Sequence, residues 1–141
     1  RDIYSTTCHE LAHASHFAQV GTEYWDKYIK YVIESYVTSG GQLYGDGSAA
    51  GSGYCEVSEM WAYYLESKLY KQRYGGGFPP LGTSWWFFPQ IFRFMDERGV
   101  GQSEIFSVLG EDVDNRLALK NALLLKYPGE RDMIDQVFSR Y

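Results

Sequence analysis

The histidines of this chain are concentrated in one short stretch, and their spacing constrains how that stretch can fold. All three, His9, His13 and His16, fall within eight residues. Side chains four residues apart lie on the same face of an α-helix, about one turn apart, so His9 and His13 can point their ring nitrogens at one ligand. Glu10 lies about 100° further round such a helix. The stretch therefore predicts a helix with one polar, ligand-binding face.

This arrangement is typical of a metal site. Two imidazoles one turn apart can bind a single zinc ion, and the neighbouring carboxylate then lies close to the ion without binding it. Zinc lowers the pKa of a bound water to about 7, and Glu10 is placed to accept its proton as a general base. The alternative is a helix with solvated or hydrogen-bonded histidines, which does not account for their clustering beside a glutamate.

Two segments resemble a known family. The segment from Cys8 to His13, which reads CHELAH, resembles the active-site helix of the zincin metallopeptidases. Residues 58–62 read SEMWA and are similar to the Asn-Glu-x-Phe-Ala segment of the gluzincin group, with Ser in place of Asn and Trp in place of Phe. In gluzincins the glutamate of this segment is the third zinc ligand. The resemblance therefore implies that Glu59 completes a zinc site with His9 and His13.

The function implied by the resemblance is that of a zinc-dependent metallopeptidase, a hydrolase. In such an enzyme Glu10 deprotonates the zinc-bound water as it attacks the scissile carbonyl of a peptide or protein substrate, and then carries the proton to the leaving amine. These peptidases also place a Tyr, His or Arg to stabilise the oxyanion. Tyr63, one turn after Glu59, and His16 are the candidates here. The competing hypothesis is a non-catalytic, peptidase-derived domain that binds a glycan or a protein.

Two other side chains compete with Glu59 for the role of third ligand. His16 shares a helix face with His9, but the two are about 10 Å apart along a straight helix, too far for one ion with metal–nitrogen bonds of about 2.1 Å. His16 also occupies the position where metzincins have a glycine, and Gln19 stands where they have a third histidine. Glu56, one turn before Glu59, is the runner-up ligand, or the acidic hydrogen-bond partner of a ligand.

Helical apolar patterns alternate with glycine and proline breaks along the chain. The stretch from Tyr24 to Val37 has paired apolar residues every four positions, which predicts an amphipathic scaffold helix. The Gly-rich residues 39–53 and the Gly/Pro-rich residues 74–83 are predicted loops, the first of them either a cleft rim or a disordered linker. No segment has the period-two alternation of a strand. The predicted helices cover about residues 5–19, 22–38, 54–73, 89–98, 103–109, 115–127 and 130–139.

These patterns predict a single, mainly α domain over residues 1–141. The resemblance implies a zincin-like helical subdomain built around the HExxH helix, in a fragment that lacks the sheet preceding this helix in zincins. The chain starts at Arg1 and reaches the motif within eight residues, so we interpret it as part of a longer protein whose signal sequence would also be missing. The expected location is secreted, periplasmic or cell-surface.

Charge and composition argue against two classes of partner. The net charge is −5 and the basic residues are dispersed, which argues against nucleic-acid binding. No run of 18 apolar residues exists to span a membrane. The 13 Tyr, 8 Phe and 4 Trp suit a Tyr-rich core or a groove for peptide or sugar. Cys8 and Cys55 each lie near a proposed ligand; they form a disulfide or two buried thiols, or the Cys55 thiolate binds the metal.

Overall fold

The computed structural model describes residues 2–75 and 85–141. These residues contain no β-strand, so the prediction of a mainly α fold is confirmed. Part of the predicted loop at residues 74–83 lies outside the described residues. The helices are α1 (Ile3–Val20), α2 (Thr22–Thr38), α3 (Ser52–Tyr74), α4 (Gln90–Glu97), α5 (Gln102–Val108), α6 (Arg116–Lys126) and α7 (Arg131–Ser139), with a 3-10 turn at Pro128–Glu130.

The first helix begins earlier than the sequence pattern predicts. Asp2 is its N-cap, and the Asp2 side chain accepts a hydrogen bond of 2.7 Å from the backbone N–H of Ser5. An N-cap carboxylate satisfies one of the amide groups that the first helical turn leaves unpaired. The helix ends at Val20, and Gly21 alone separates it from α2. Because this connection is so short, α1 and α2 form a pair that packs against α3.

The third helix is the centre of the molecule. It packs against α1, α2, α4 and α6, and every residue from 55 to 67 is buried. A helix that is buried all round cannot have a solvated polar face. The carboxylates of Glu56, Glu59 and Glu66 are therefore inside the protein, where each needs a partner.

The C-terminal helices extend the core around α3, with α4 and α6 packing directly against it. Each C-terminal helix contributes at least one fully buried apolar side chain to one core cluster, and the residues before α4 add an aromatic ring. Removing this apolar surface from water is the main contribution that holds α3 in place. The fully buried members from this part of the chain are Phe87, Ile91, Phe92, Met95, Ile105, Leu109, Leu119, Leu123 and Ile134.

The second helix buries a narrower face than predicted. Its buried residues are Tyr24, Tyr28, Tyr31 and Ser35, which lie along one line of the helix. The remaining apolar side chains of the predicted stripe, from Ile29 to Val37, include several that are 45–73% exposed. The predicted stripe was too wide because apolar residues occur on both sides of this helix, and spacing alone does not distinguish the side that packs.

Two further predictions concern cysteines and membranes. Cys8 and Cys55 are both buried and both free, so they are thiols rather than a disulfide. Within residues 2–75 and 85–141, no helix combines the length and the apolar character needed to cross a bilayer.

Candidate metal centre

Packing of α1 against α3 brings the three predicted ligands together. His9 Nε2 lies 3.3 Å from Glu59 Oε1, and His13 Nε2 lies 3.0 Å from Glu59 Oε2. The two histidine Nε2 atoms are 3.2 Å apart. All three residues are buried, and Glu59 is completely inaccessible. Two histidines of one helix and a carboxylate of the next thus form a single group that can hold a metal ion.

The separation of the three donor groups fits one ion. Metal–nitrogen bonds of about 2.1 Å in tetrahedral geometry place neighbouring ligand atoms about 3.4 Å apart. The observed distances of 3.0 to 3.3 Å are close to that edge length. Without an ion, the two imidazole Nε2 atoms face each other and both face the Glu59 carboxylate, and His13 Nδ1 is buried with no hydrogen-bond partner among the described residues. The donor set therefore fits a cation better than it fits a hydrogen-bonded cluster.

A second carboxylate of α3 orients one ligand. Glu66 Oε1 lies 3.1 Å from Nδ1 of His9, and both side chains are buried. When His9 Nδ1–H donates to Glu66, the lone pair of Nε2 is left facing Glu59. Carboxylates that hold a ligand histidine in this way fix its tautomer and strengthen it as a donor. Glu66 follows Glu59 by seven residues and so lies on the same face of α3 two turns later.

Glu56, the predicted runner-up ligand or acidic partner, lies outside the group of His9, His13 and Glu59 and pairs with another residue. Its Oε2 accepts hydrogen bonds of 3.0 and 2.7 Å from Nε and Nη2 of Arg116 on α6. Arg116 Nη1 also donates to the backbone carbonyl of Tyr141. The sequence places Glu56 and Glu59 one turn apart, but Arg116 lies 60 residues away and this partner is not visible from local spacing.

The ligands shift one another's protonation. Burial disfavours a charged His9, but hydrogen bonds to Glu59 and Glu66 outweigh it and raise the pKa of His9 to about 9. Burial likewise disfavours a charged Glu59, yet hydrogen bonds from His13 and His9 lower the pKa of its carboxyl to about 2. In the absence of a cation, a proton on His9 therefore neutralises part of the buried negative charge.

The triad opens onto a cavity of about 460 Å³. Glu10 is exposed on the cavity wall beside the ligands. Two walls come from α2, which the sequence pattern indicates only as scaffold, and from the loop between α2 and α3. The interpretation of α2 as scaffold is thus incomplete, while the loop at residues 39–53 forms part of the cleft rim. The lining residues are His9, Glu10, His13, Ala14, Phe17, Trp25, Tyr28, Tyr44 and Glu59.

Tyr44 reaches the cavity from a constrained loop. It has a positive φ of 67°, the one such non-glycine residue in the described part of the chain, a conformation that costs about 1–2 kcal/mol. Its carbonyl accepts hydrogen bonds of 2.8 Å from Tyr31 Oη and 2.9 Å from Trp86 Nε1. Burial and the charge of Glu59 raise the pKa of Tyr44, and the same two causes raise that of Tyr28. Both phenols are therefore neutral hydrogen-bond donors.

Neither of the other predicted catalytic side chains lines this cavity. The Tyr63 ring packs edge-on against His9, with centroids 4.5 Å apart, and stacks on Phe87. His16 is fully inaccessible and lies edge-on to Tyr24. Burial and the neighbouring His13 lower the pKa of His16 to about 4, so it is neutral at pH 7. Tyr63 supports a ligand ring, and His16 belongs to the interior between α1 and α2.

The geometry defines what the centre can do. The centre has two imidazole nitrogens and the Glu59 carboxylate, a cavity on its open side, and the Glu10 carboxylate beside them. Three protein ligands with an open fourth position are typical of catalytic metal sites, whereas structural sites are closed by four. Comparisons with protein-family models, curated proteins and solved structures found no match to this chain, so its function is inferred from this geometry.

Proposed function

We propose that the chain is a zinc-dependent metallopeptidase domain of gluzincin type. The observation that carries the proposal is the convergence of His9, His13 and Glu59 beside Glu10 at an open cavity. Two imidazoles and one carboxylate are a common ligand set for catalytic zinc. When bound, the ion would lower the pKa of water and polarise the substrate carbonyl.

The proton transfers are assigned to Glu10. As the water oxygen adds to the carbonyl carbon, the Glu10 carboxylate accepts the water proton; as the carbon–nitrogen bond breaks, Glu10 delivers that proton to the leaving amine. The net reaction adds one water to one peptide bond. Glu10 is exposed to the cavity, and within the described residues it forms no salt bridge, so its carboxylate is available for this role.

Tyr44 is the best placed donor for the negative charge that develops on the carbonyl oxygen. Its ring lines the same cavity as Glu10, whereas the Tyr63 and His16 side chains do not. Its phenol stays protonated because burial and Glu59 both raise its pKa. A neutral donor held in place before the reaction stabilises an oxyanion without reorganisation. In this proposal Tyr44 therefore replaces the two residues suggested by the sequence.

The substitution Glu10→Gln tests the proposal. It keeps the size of the side chain and removes the base, so the zinc-loaded variant should hydrolyse a mixed peptide library about 100- to 10,000-fold more slowly than the wild type. Zinc content, measured by elemental analysis, should not change, because Glu10 is not a ligand. Glu34→Gln, an equivalent change at an exposed site on α2, is the control and should keep full activity.

Two results would contradict the proposal in different ways. Undiminished hydrolysis by Glu10→Gln would show that Glu10 is not the base. A wild-type protein that binds zinc and cleaves no peptide in the library would favour the non-catalytic binding domain.

A further inference from the structure

The outer face of α2 carries large apolar side chains that are open to solvent. Four of them occupy positions i, i+4, i+7 and i+8, which form one stripe about 12 Å long on a helix. Single exposed apolar residues are common on protein surfaces, whereas a contiguous exposed patch marks an interaction surface. The members of this outer stripe are Ile29, Ile33, Tyr36 and Val37, which are 45–73% exposed.

The outer stripe lies opposite the buried line of α2. Tyr31 and Ser35 belong to that buried line, and each is about 160° round the helix from Ile33. Tyr28, which lines the metal cavity, is buried on the same side of the helix as Tyr31. A molecule that covers the outer stripe therefore binds a surface separate from the cavity, and it leaves the centre free to act.

The spacing of the outer stripe matches its own reversed copy. Ile29 comes four residues before Ile33, and Val37 comes four residues after it. If a second α2 runs antiparallel to the first about a two-fold axis at Ile33, the two Ile33 side chains meet and each Ile29 faces a Val37. A two-fold contact between identical subunits requires a self-complementary patch of this kind.

The charges beside the outer stripe fit the same arrangement. Lys30 and Glu34 are exposed, and both lie on the same flank of the stripe. Because the two-fold axis is perpendicular to both helices, this flank of one copy lies beside the same flank of the other. Lys30 is then only about 3 Å along the helix axis from the partner's level of Glu34. The pairing therefore brings two sets of opposite charges together, and charges of opposite sign across an interface fix its register.

We propose that the outer stripe is a homodimer interface, at which α2 packs antiparallel on α2 of a second copy of this chain. The occupant is a second copy because the apolar spacing and the flanking charges match themselves under one and the same two-fold rotation. A standard interface buries about 800 Å² per partner, and four side chains with their flanking charges cover less than that. The dimer is therefore a weak one, with a dissociation constant of about 1 to 100 µM.

Sedimentation velocity over a range of protein concentrations tests the interface. The wild-type chain should change from monomer to dimer as its concentration rises through the dissociation constant. Ile33→Glu places two carboxylates against each other at the two-fold axis, so this variant should remain monomeric throughout. Leu125→Glu makes a similar change at an 86% exposed position of α6 and should dimerise like the wild type. Thermal unfolding confirms that each variant is folded.

An exchange of the flanking charges tests the antiparallel register. Lys30→Glu alone and Glu34→Lys alone each bring like charges together across the axis, so each should weaken dimerisation about 10-fold or more. The double variant Lys30→Glu/Glu34→Lys restores opposite charges, and its dissociation constant should return to within about 3-fold of the wild-type value. The weakening in the single variants should diminish at high salt, because salt screens exposed charges.

Three results would overturn the interface. A wild-type chain that stays monomeric at every concentration would mean that something other than a second copy covers the outer stripe. A dimer that survives Ile33→Glu would place the contact elsewhere on the molecule. A double charge variant as weak as the single ones would rule out the antiparallel register. Each of these results concerns the outer stripe alone, so the proposed hydrolysis stands or fails separately.

Discussion

At the scale of single residues, three buried carboxylates of α3 have different partners, and only two of them face the candidate centre. Glu59 faces His9 and His13, Glu66 holds the other nitrogen of His9, and Glu56 pairs with Arg116. All three are buried, where a carboxylate without a partner is costly. The role of each carboxylate therefore depends on the side chain that it contacts.

Removing one carboxylate at a time should separate a ligand from a structural partner. Glu59→Ala should lose the bound metal, because two histidines alone leave the ion short of a protein ligand. Glu56→Ala should keep about one zinc per chain and instead lower the free energy of unfolding by about 2–4 kcal/mol, because Arg116 loses its buried partner. Elemental analysis and chemical denaturation measure the two effects. Loss of zinc from Glu56→Ala would contradict the ligand set.

The raised pKa of His9 leads to a pH dependence of the metal-free protein. Its pKa is about 9, above the usual 6.5, so protonation of His9 stabilises the fold fully below pH 6.5, and this contribution disappears as the pH rises through 9. The melting temperature of chelator-treated protein should therefore fall from pH 6.5 to 9.5. Zinc must displace the same proton, so apparent zinc affinity should rise over this range.

Thermal unfolding of metal-free His9→Gln provides the matched control. This variant has no imidazole to titrate at position 9, and its melting temperature should change less over the same pH range. If the melting temperature falls equally steeply with pH in wild type and in His9→Gln, the proton is bound by a group other than His9.

At the scale of elements, the loop between α2 and α3 is fixed to its neighbours by hydrogen bonds and close packing. Tyr44 is fixed by hydrogen bonds to its carbonyl, and Gly47 packs against Trp86 so closely that an added Cβ would lie 2.6 Å from the indole ring. Gly40, in the same loop region, also has a positive φ but has open space around it. Both glycines therefore need a positive φ, but only Gly47 is closely packed against another residue.

This difference gives a matched pair of substitutions. Gly40→Ala should cost about 1–2 kcal/mol of folding stability, from backbone strain alone. Gly47→Ala should cost about 1–3 kcal/mol more, because the methyl group must displace Trp86, and it should also slow peptide hydrolysis as Tyr44 moves. Chemical denaturation compares the two. Equal destabilisation would mean that the contact with Trp86 does not constrain the loop.

Helices and their shared faces were predictable from the sequence because they depend on residues three or four apart. His9 and His13 are placed by such spacing, and Glu59 was found through the resemblance of its segment. Tyr44 was not predictable, because its conformation is imposed by Tyr31 and Trp86, which lie far from it in the sequence.

At the scale of the whole molecule, the same helix supplies much of the core and a candidate metal ligand. Helices α4 and α6 pack against α3, which also carries Glu59 of the triad. The position of a polar residue along α3 does not indicate which neighbouring side chain it contacts. This is why local spacing did not reveal that Glu56 pairs with Arg116 or that Glu66 contacts His9.

The burial of α3 has a consequence for how this protein can be altered. Every ligand and every partner of a ligand lies where a substitution also disturbs the interior, so the chemistry of the centre and the integrity of the molecule change together. The outer wall of the cavity is different, since Ala14 and Phe17 line it from an exposed part of α1. Substitution of these outer side chains should therefore change which groups the cavity can bind, while the buried side chains of the centre are left unchanged.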